Sequence, residues 1–154
     1  MQRLLMRKTS FLPIFSILAI AGMLMGCPSS KTPPLSERIA KAWTARIVTE
    51  NGNVAYTRGG TSNIRTYNNF KLDLSSAPTV RLTEFDGNTF VGTYSVQDNP
   101  QQLTLTALQP QPTGTNGTIS YTINSISDTE LVLTRTTTSQ KTGGTTNVYT
   151  LSNP

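Results

Sequence analysis

Side chains suited to catalysis are scarce in this chain of 154 residues, which contains no His and a single Cys. The absence of His excludes the commonest general base, the Ser-His-Asp and Cys-His nucleophile arrangements, and every His-ligated metal site. Glu84 and Asp86 share one face of a strand, but beside the turn at Gly87 we expect them to be solvated strand ends. The sequence therefore predicts no catalytic residue, no metal site and no cofactor. An enzyme would require Glu84, Asp86 or a Ser-Lys pair to meet in one cleft.

The single Cys, Cys27, follows a segment typical of protein export. Residues 1–10 hold three basic side chains and no acid, and residues 11–25 are almost wholly apolar. A membrane-spanning helix needs about 20 apolar residues, so this run fits the core of a signal peptide better than a permanent anchor. The alternatives are a transmembrane helix and, for Cys27, a buried free thiol. A lone Cys also excludes an internal disulfide.

The four residues Leu24-Met25-Gly26-Cys27 resemble the lipobox of bacterial lipoproteins. Gly26 provides the small side chain that a signal peptidase needs beside the bond it cleaves, and the Cys27 thiolate is a nucleophile able to accept a diacylglyceryl group. The resemblance implies a signal peptide at residues 1–26, an acylated Cys27 with a tether at residues 27–35, and a folded domain at residues 36–154. Two or three acyl chains such as palmitate anchor a protein stably.

The residues after Cys27 indicate a location in the cell envelope. In lipoproteins of this kind, Asp directly after the Cys often signals retention in the inner membrane, and here Pro28 stands there. No acid follows in residues 28–34, so the acid-rich tags of surface-exported lipoproteins are missing. The resemblance implies an outer-membrane lipoprotein that faces the periplasm. Its partners would be the membrane through Cys27 and an envelope protein, with no nucleic acid.

Charge is distributed unevenly along the chain. The net charge of +5 falls to +2 when the signal peptide, with its three basic residues, is removed. Residues 38–81 carry +5 and residues 82–154 carry −3. This asymmetry predicts an anionic ligand, headgroup or partner beside the N-terminal half, with four Arg as candidate contacts: Arg46, Arg58, Arg65 and Arg81. The alternative is solvated charge on outward strand faces.

The secondary structure predicted after the tether is one short helix and then strands. Ser36 is a candidate N-cap for a helix of one or two turns before Trp43. Eight runs of alternating apolar and polar residues follow: Trp43/Ala45/Ile47, Phe70/Leu72/Leu74, Val80/Leu82, Phe90/Gly92/Tyr94/Val96, Leu103/Leu105/Ala107, Ile119/Tyr121/Ile123, Leu131/Leu133 and Tyr149/Leu151. Short turn signals separate them. The pattern predicts an all-β protein, an antiparallel up-and-down meander that closes into a barrel, because closure removes exposed strand edges.

Three segments resemble the lipocalin-like domain of small bacterial lipoproteins. They are residues 85–96 with Gly92-Thr93-Tyr94, residues 103–105 with Leu103-Thr104-Leu105, and residues 121–134 with Leu131-Val132-Leu133. Trp43 takes the place of the N-terminal Trp of that family, at the start of the first strand, where it plugs one end of the barrel. Lipocalins usually carry Gly two residues before this Trp, and here Lys41 stands there.

The lipocalin resemblance implies a cup for a small apolar or amphipathic molecule, whose candidate lining residues are Trp43, Phe90, Tyr94 and Tyr121. A barrel of this size can equally be filled by its own side chains. Residues 58–63 would be a lid or rim of such a cup, or an ordinary loop. Two functions follow as hypotheses. The chain is a lipid-anchored ligand-binding protein or a non-catalytic accessory subunit of an outer-membrane complex.

Overall fold

A computed structural model describes residues 32–153 of the chain. Cys27, the predicted signal peptide at residues 1–26 and most of the predicted tether lie outside these residues. The elements in chain order are α1 (Leu35–Ile39), β1 (Ala42–Glu50), β2 (Asn53–Thr57), β3 (Lys71–Ser76), β4 (Thr79–Thr83), β5 (Thr89–Asp98), β6 (Gln101–Gln109), β7 (Ile119–Ile126), β8 (Glu130–Arg135), a 3₁₀ turn (Gln140–Thr142) and β9 (Asn147–Ser152). Among the described residues, no helix is long and apolar enough to cross a bilayer.

Eight strands form a closed antiparallel barrel. β3 to β9 pair in sequence order, and β1 joins β3 on one side and β9 on the other. The eight alternating runs of the sequence supply these eight strands, so the predicted all-β up-and-down barrel with one short N-terminal helix is confirmed. β2 is an additional strand that pairs with the second half of β1.

The core consists of apolar side chains that point into the barrel and follow the predicted alternation, apart from two bulges. In β1 an extra residue, Arg46, shifts the register against β9, so that Val48 is buried and Ile47 is only partly buried. In β6 the register shifts opposite Gly92, and Leu108 takes the inward place predicted for Ala107. A bulge inserts one residue into a strand and therefore moves every later side chain to the other face.

The short helix covers one end of the barrel. It begins at Leu35, whereas Ser36 was the expected N-cap. Pro34 takes that position and its carbonyl accepts from the amides of residues 37 and 38, with no side-chain cap. Leu35 and Ile39 are buried, and Trp43 Nε1 donates to Ile39 O at 2.9 Å. Trp43 is fully buried beneath the helix.

Candidate functional site

The barrel wall has a gap beside β1. Residues 42–44 of β1 pair with β3, but residues 47–50 pair on the same side with β2. Between the two pairings, the guanidinium of Arg58 takes the place of a strand. Its Nε and Nη2 donate to Ala45 O at 3.0 and 2.6 Å, and the Arg58 amide donates to Arg46 O at 2.8 Å. The Arg58 side chain therefore satisfies Ala45 O, and the Arg58 main chain satisfies Arg46 O.

A surface pocket of about 290 Å³ opens at this gap, lined by Thr44, Ala45, Tyr56, Arg58 and Asn68. We call it the wall pocket. Ala45 and Tyr56 belong to the buried interior, whereas Arg58 and Asn68 are exposed. The wall pocket therefore has a polar rim and a floor of nearly buried residues, and its volume of about 290 Å³ lies just below the usual range for small-molecule sites.

Hydrogen bonds fix the polar rim of the wall pocket. Arg58 Nη2 donates to Thr44 Oγ1 at 2.8 Å, in addition to its bonds to Ala45 O. The Tyr56 hydroxyl donates to Asn68 Oδ1 at 2.7 Å, so the Asn68 side chain presents its amide nitrogen as the remaining polar group. The lining contains one cation and no acid. Its chemistry favours an anionic or hydrogen-bond-accepting group next to an apolar surface.

The four candidate Arg residues have different partners and surroundings in the structure. Arg46 pairs with Glu130, and Arg65 Nε lies 2.9 Å from Glu50 Oε1. Arg81 lines a second surface pocket of about 150 Å³ on the outside of β3 and β4, with Asp73, Ser75, Ser76 and Thr79. Of the four, Arg58 alone lines the wall pocket. The segment that follows it is tied down by Asn63, which bonds both the amide and the carbonyl of Thr57.

The four candidate cup residues are buried in the barrel interior. Trp43 is 0% exposed, Phe90 4%, Tyr94 9% and Tyr121 2%. Tyr94 donates its hydroxyl to Leu74 O at 2.9 Å, and burial raises the pKa of this hydroxyl above its usual value. None of the four lines the wall pocket or the second surface pocket.

Four charged side chains form an ion cluster at the barrel end opposite α1: Glu84, Asp86, Arg135 and Lys141. Lys141 Nζ lies 2.6 Å from Glu84 Oε2 and 2.8 Å from Asp86 Oδ2. The expectation that Glu84 is a solvated strand end is wrong, because Glu84 is only 7% exposed. Lys141 comes from the loop between β8 and β9, 55 residues from Asp86 in sequence, and no local pattern indicated this partner.

Arg135 is weakly paired within the ion cluster. It is 4% exposed, its Nη1 lies 4.0 Å from Glu84 Oε1, and its Nε has no hydrogen-bond partner among the described residues. Tyr121 and Tyr149 pack edge to face beside it, with ring centroids 6.1 Å apart. Burial raises the pKa of both hydroxyls, and the positive charge of Arg135 opposes that rise.

The two carboxylates of this cluster are held by Lys141. Burial alone would raise the pKa of Asp86, but hydrogen bonds from Lys141 and Asn88 outweigh it and lower this pKa below its usual value. Burial would likewise lower the pKa of Lys141, and its bonds to Asp86 and Glu84 raise it instead. Asp86 and Lys141 are therefore both charged at neutral pH. Within residues 32–153, no three Cys, Asp or Glu side chains come together as metal ligands.

Comparisons with known proteins give two solved structures of low sequence identity. The first is an uncharacterized protein from Bacteroides eggerthii DSM 20697, with 13% identity over 74% of this chain and 98% of the other, and a TM-score of 0.46. The second is a lipocalin-like protein from Bacteroides uniformis ATCC 8492, with 14% identity over 76% of this chain and 99% of the other, and a TM-score of 0.44. No protein-family model and no curated protein matches the chain.

Proposed function

We propose that this chain is a lipid-anchored envelope protein whose barrel binds a small amphipathic ligand and does not catalyse a reaction. The wall pocket carries the proposal, because it joins the exposed Arg58 and Asn68 to the buried Ala45 and Tyr56. A site with a few fixed polar groups beside apolar surface is the usual form of a small-molecule site. Two features support a non-catalytic role. The chain has no His, and its paired carboxylates are bound by Lys141.

Binding of a neutral apolar probe, N-phenyl-1-naphthylamine, tests the function. We expect its fluorescence to rise on addition to the protein, and Ala45→Leu to weaken probe binding at least tenfold because the larger side chain occupies the wall pocket. Ser95→Leu is the control, since Ser95 is exposed in the middle of β5. Failure of the wild-type protein to bind this probe and also amphipathic probes such as octanoate contradicts the function. Equal affinity in a folded Ala45→Leu protein contradicts the location.

The membrane anchor is a separate part of the proposal and rests on the sequence around Cys27. We propose that Cys27 is acylated and holds the domain on the periplasmic face of the outer membrane. Cys27→Ser should abolish labelling with a palmitate analogue and release the chain from the membrane fraction, whereas Ser29→Ala should change neither. A Cys27→Ser chain that still fractionates with outer membranes contradicts the anchor. Degradation by protease added to intact cells contradicts the periplasmic orientation.

An accessory role in an envelope complex is the second candidate. It is favoured by two exposed apolar side chains near the β1–β2 hairpin, Val54 at 56% exposure and Ile64 at 73%. They flank Ala55, whose carbonyl accepts from the Ile64 amide at 2.9 Å. A photocrosslinker at position 64 should capture one defined membrane protein in cells, and a crosslinker at the exposed position 98 should not. Identical products from both positions contradict this role.

A further inference from the structure

We propose that the wall pocket selects ligands with an anionic head group, a compact amphipathic carboxylate being the simplest case. This inference rests on the proposed function and adds the class of ligand to it. The argument depends on the orientation of Arg58, on the free donor of Asn68, and on the pairing of the neighbouring acids.

Arg58 is oriented before any ligand arrives. Three hydrogen bonds, two to Ala45 O and one to Thr44 Oγ1, use its Nε and Nη2. Its Nη1 takes no part in these bonds. A guanidinium held in this way loses little side-chain entropy when it binds an oxyanion, and a charge-assisted hydrogen bond is about twice as strong as a neutral one.

Asn68 supplies a second donor on the same rim. Because Asn68 Oδ1 already accepts from the Tyr56 hydroxyl at 2.7 Å, the side-chain amide is oriented with its nitrogen as the group that remains for a ligand. Two nitrogen donors therefore line one pocket, and one of them carries a positive charge. A neutral alcohol would satisfy fewer of these N–H groups than a carboxylate with its two oxygens.

Neighbouring acids are already paired with other cations. Glu130 pairs with Arg46, and Asp73 pairs with Lys71. Lys71 lies opposite Thr44 where β1 pairs with β3. Among the described residues, Arg58 forms no ion pair. Its charge is therefore available to a ligand.

The inner part of the wall pocket limits the rest of the ligand. Ala45 and Tyr56, at 3% and 1% exposure, form the floor of the wall pocket, so the apolar body of a ligand would rest on this floor and would not enter the core. A volume of about 290 Å³ favours a compact apolar body over a long double chain. The head group would then lie at Arg58 and Asn68, with the apolar body against Tyr56.

Isothermal titration calorimetry with octanoate and 1-octanol tests the inference, because the two probes share an apolar chain and differ in charge. We expect the purified protein to bind octanoate at least tenfold more tightly than 1-octanol. Arg58→Gln should weaken octanoate binding more than 1-octanol binding and so remove this preference, while Arg81→Gln should preserve it. If Arg58→Gln unfolds through loss of its bonds to β1, Asn68→Asp serves instead, because a carboxylate beside Arg58 repels the head group.

The outcomes separate the inference from the function beneath it. Equal affinities for octanoate and 1-octanol, or a preference that survives in both Arg58→Gln and Asn68→Asp, overturn the anionic selectivity and leave ligand binding intact. Failure of both probes and of N-phenyl-1-naphthylamine to bind overturns the proposed function as well. A preference for octanoate that disappears in Arg58→Gln or Asn68→Asp, but not in Arg81→Gln, supports the inference.

Discussion

The ammonium group of Lys141 lies 2.6 Å from Oε2 of Glu84 and thereby joins the loop between β8 and β9 to the end of β4. The Lys141 side chain is 15% exposed and that of Glu84 is 9% exposed, so the pair is largely withdrawn from water. Lys141 Nζ also lies 5.1 Å from the centroid of the Phe90 ring, which places the cation over the aromatic core. This contact determines what several substitutions should do to stability.

Loss of the cation should destabilise the fold strongly. Lys141→Met leaves Glu84 buried without its nearest positive charge, and breaking a buried pair by removing one partner costs about 3–5 kcal/mol. We expect a decrease toward the lower end of that range in the free energy of unfolding in urea. Lys71→Met is the control, because Lys71 is 46% exposed and an exposed pair contributes less than about 1 kcal/mol. Equal losses in the two variants would contradict this account.

Replacement of Arg135 should cost much less than replacement of Lys141. Its Nε has no partner among the described residues and its Nη1 stands 4.0 Å from Glu84, so a buried charge is removed while the closer Lys141 pair is kept. Apolar replacement of such a group is often neutral or stabilising. We expect Arg135→Met to change the free energy of unfolding by no more than about 1 kcal/mol. A loss as large as that of Lys141→Met would show that Arg135 is the main counter-charge of Glu84.

Acid should weaken the fold partly through Asp86. Its pKa is lowered in the folded protein, so the unfolded chain takes up a proton first as the pH falls. The stability from Asp86 is therefore complete above its usual pKa of 3.8 and is lost as the pH falls through the lower folded value. Urea unfolding between pH 7 and pH 2 should show a smaller acid loss in Asp86→Asn than in wild type. Gln101→Ala, which changes an exposed neutral side chain, should follow the wild-type curve.

Gly92 should tolerate no side chain, because β6 approaches it closely. A Cβ added there would lie 2.4 Å from Thr106 O and 3.0 Å from Leu108 N, at the bulge where Ala107 adopts φ 52°. Both neighbours are backbone atoms of a paired strand, so β5 and β6 would have to separate. We expect Gly92→Ala to lower the free energy of unfolding by about 1–3 kcal/mol. Val91→Ala, at a side chain 40% exposed, should cost less than about 0.5 kcal/mol.

The strands could be predicted from the sequence because their signal is local. One alternating run, Ile119/Tyr121/Ile123, is buried as predicted, and the same holds for Phe70/Leu72/Leu74. The errors fall at Ile47 and Ala107, next to bulges. A bulge depends on how two strands pair, so the alternating pattern of one strand alone does not predict it. β2 was missed for a similar reason, since it pairs only where β3 has left β1.

The candidate site was less predictable than the fold. Arg58 was one of four equivalent Arg candidates, and only the gap between β2 and β3 distinguishes it from Arg46, Arg65 and Arg81. Asn68 carried no signal at all, because an exposed Asn in a loop has no preferred role. The four aromatic candidates are buried, as the sequence predicted. Whether they line a ligand cavity depends on the volume left between side chains, which the residue types alone do not determine.

The amino-acid sequence alone determined the all-β class, the eight barrel strands and the absence of His chemistry. Each of these depends on composition or on neighbours a few positions apart. The tertiary structure alone decided that Lys141 binds Glu84 and Asp86, and that Arg58 lies in a gap of the barrel wall. These contacts join distant segments, and their geometry depends on strand register and bulges, which exist only once the barrel has closed.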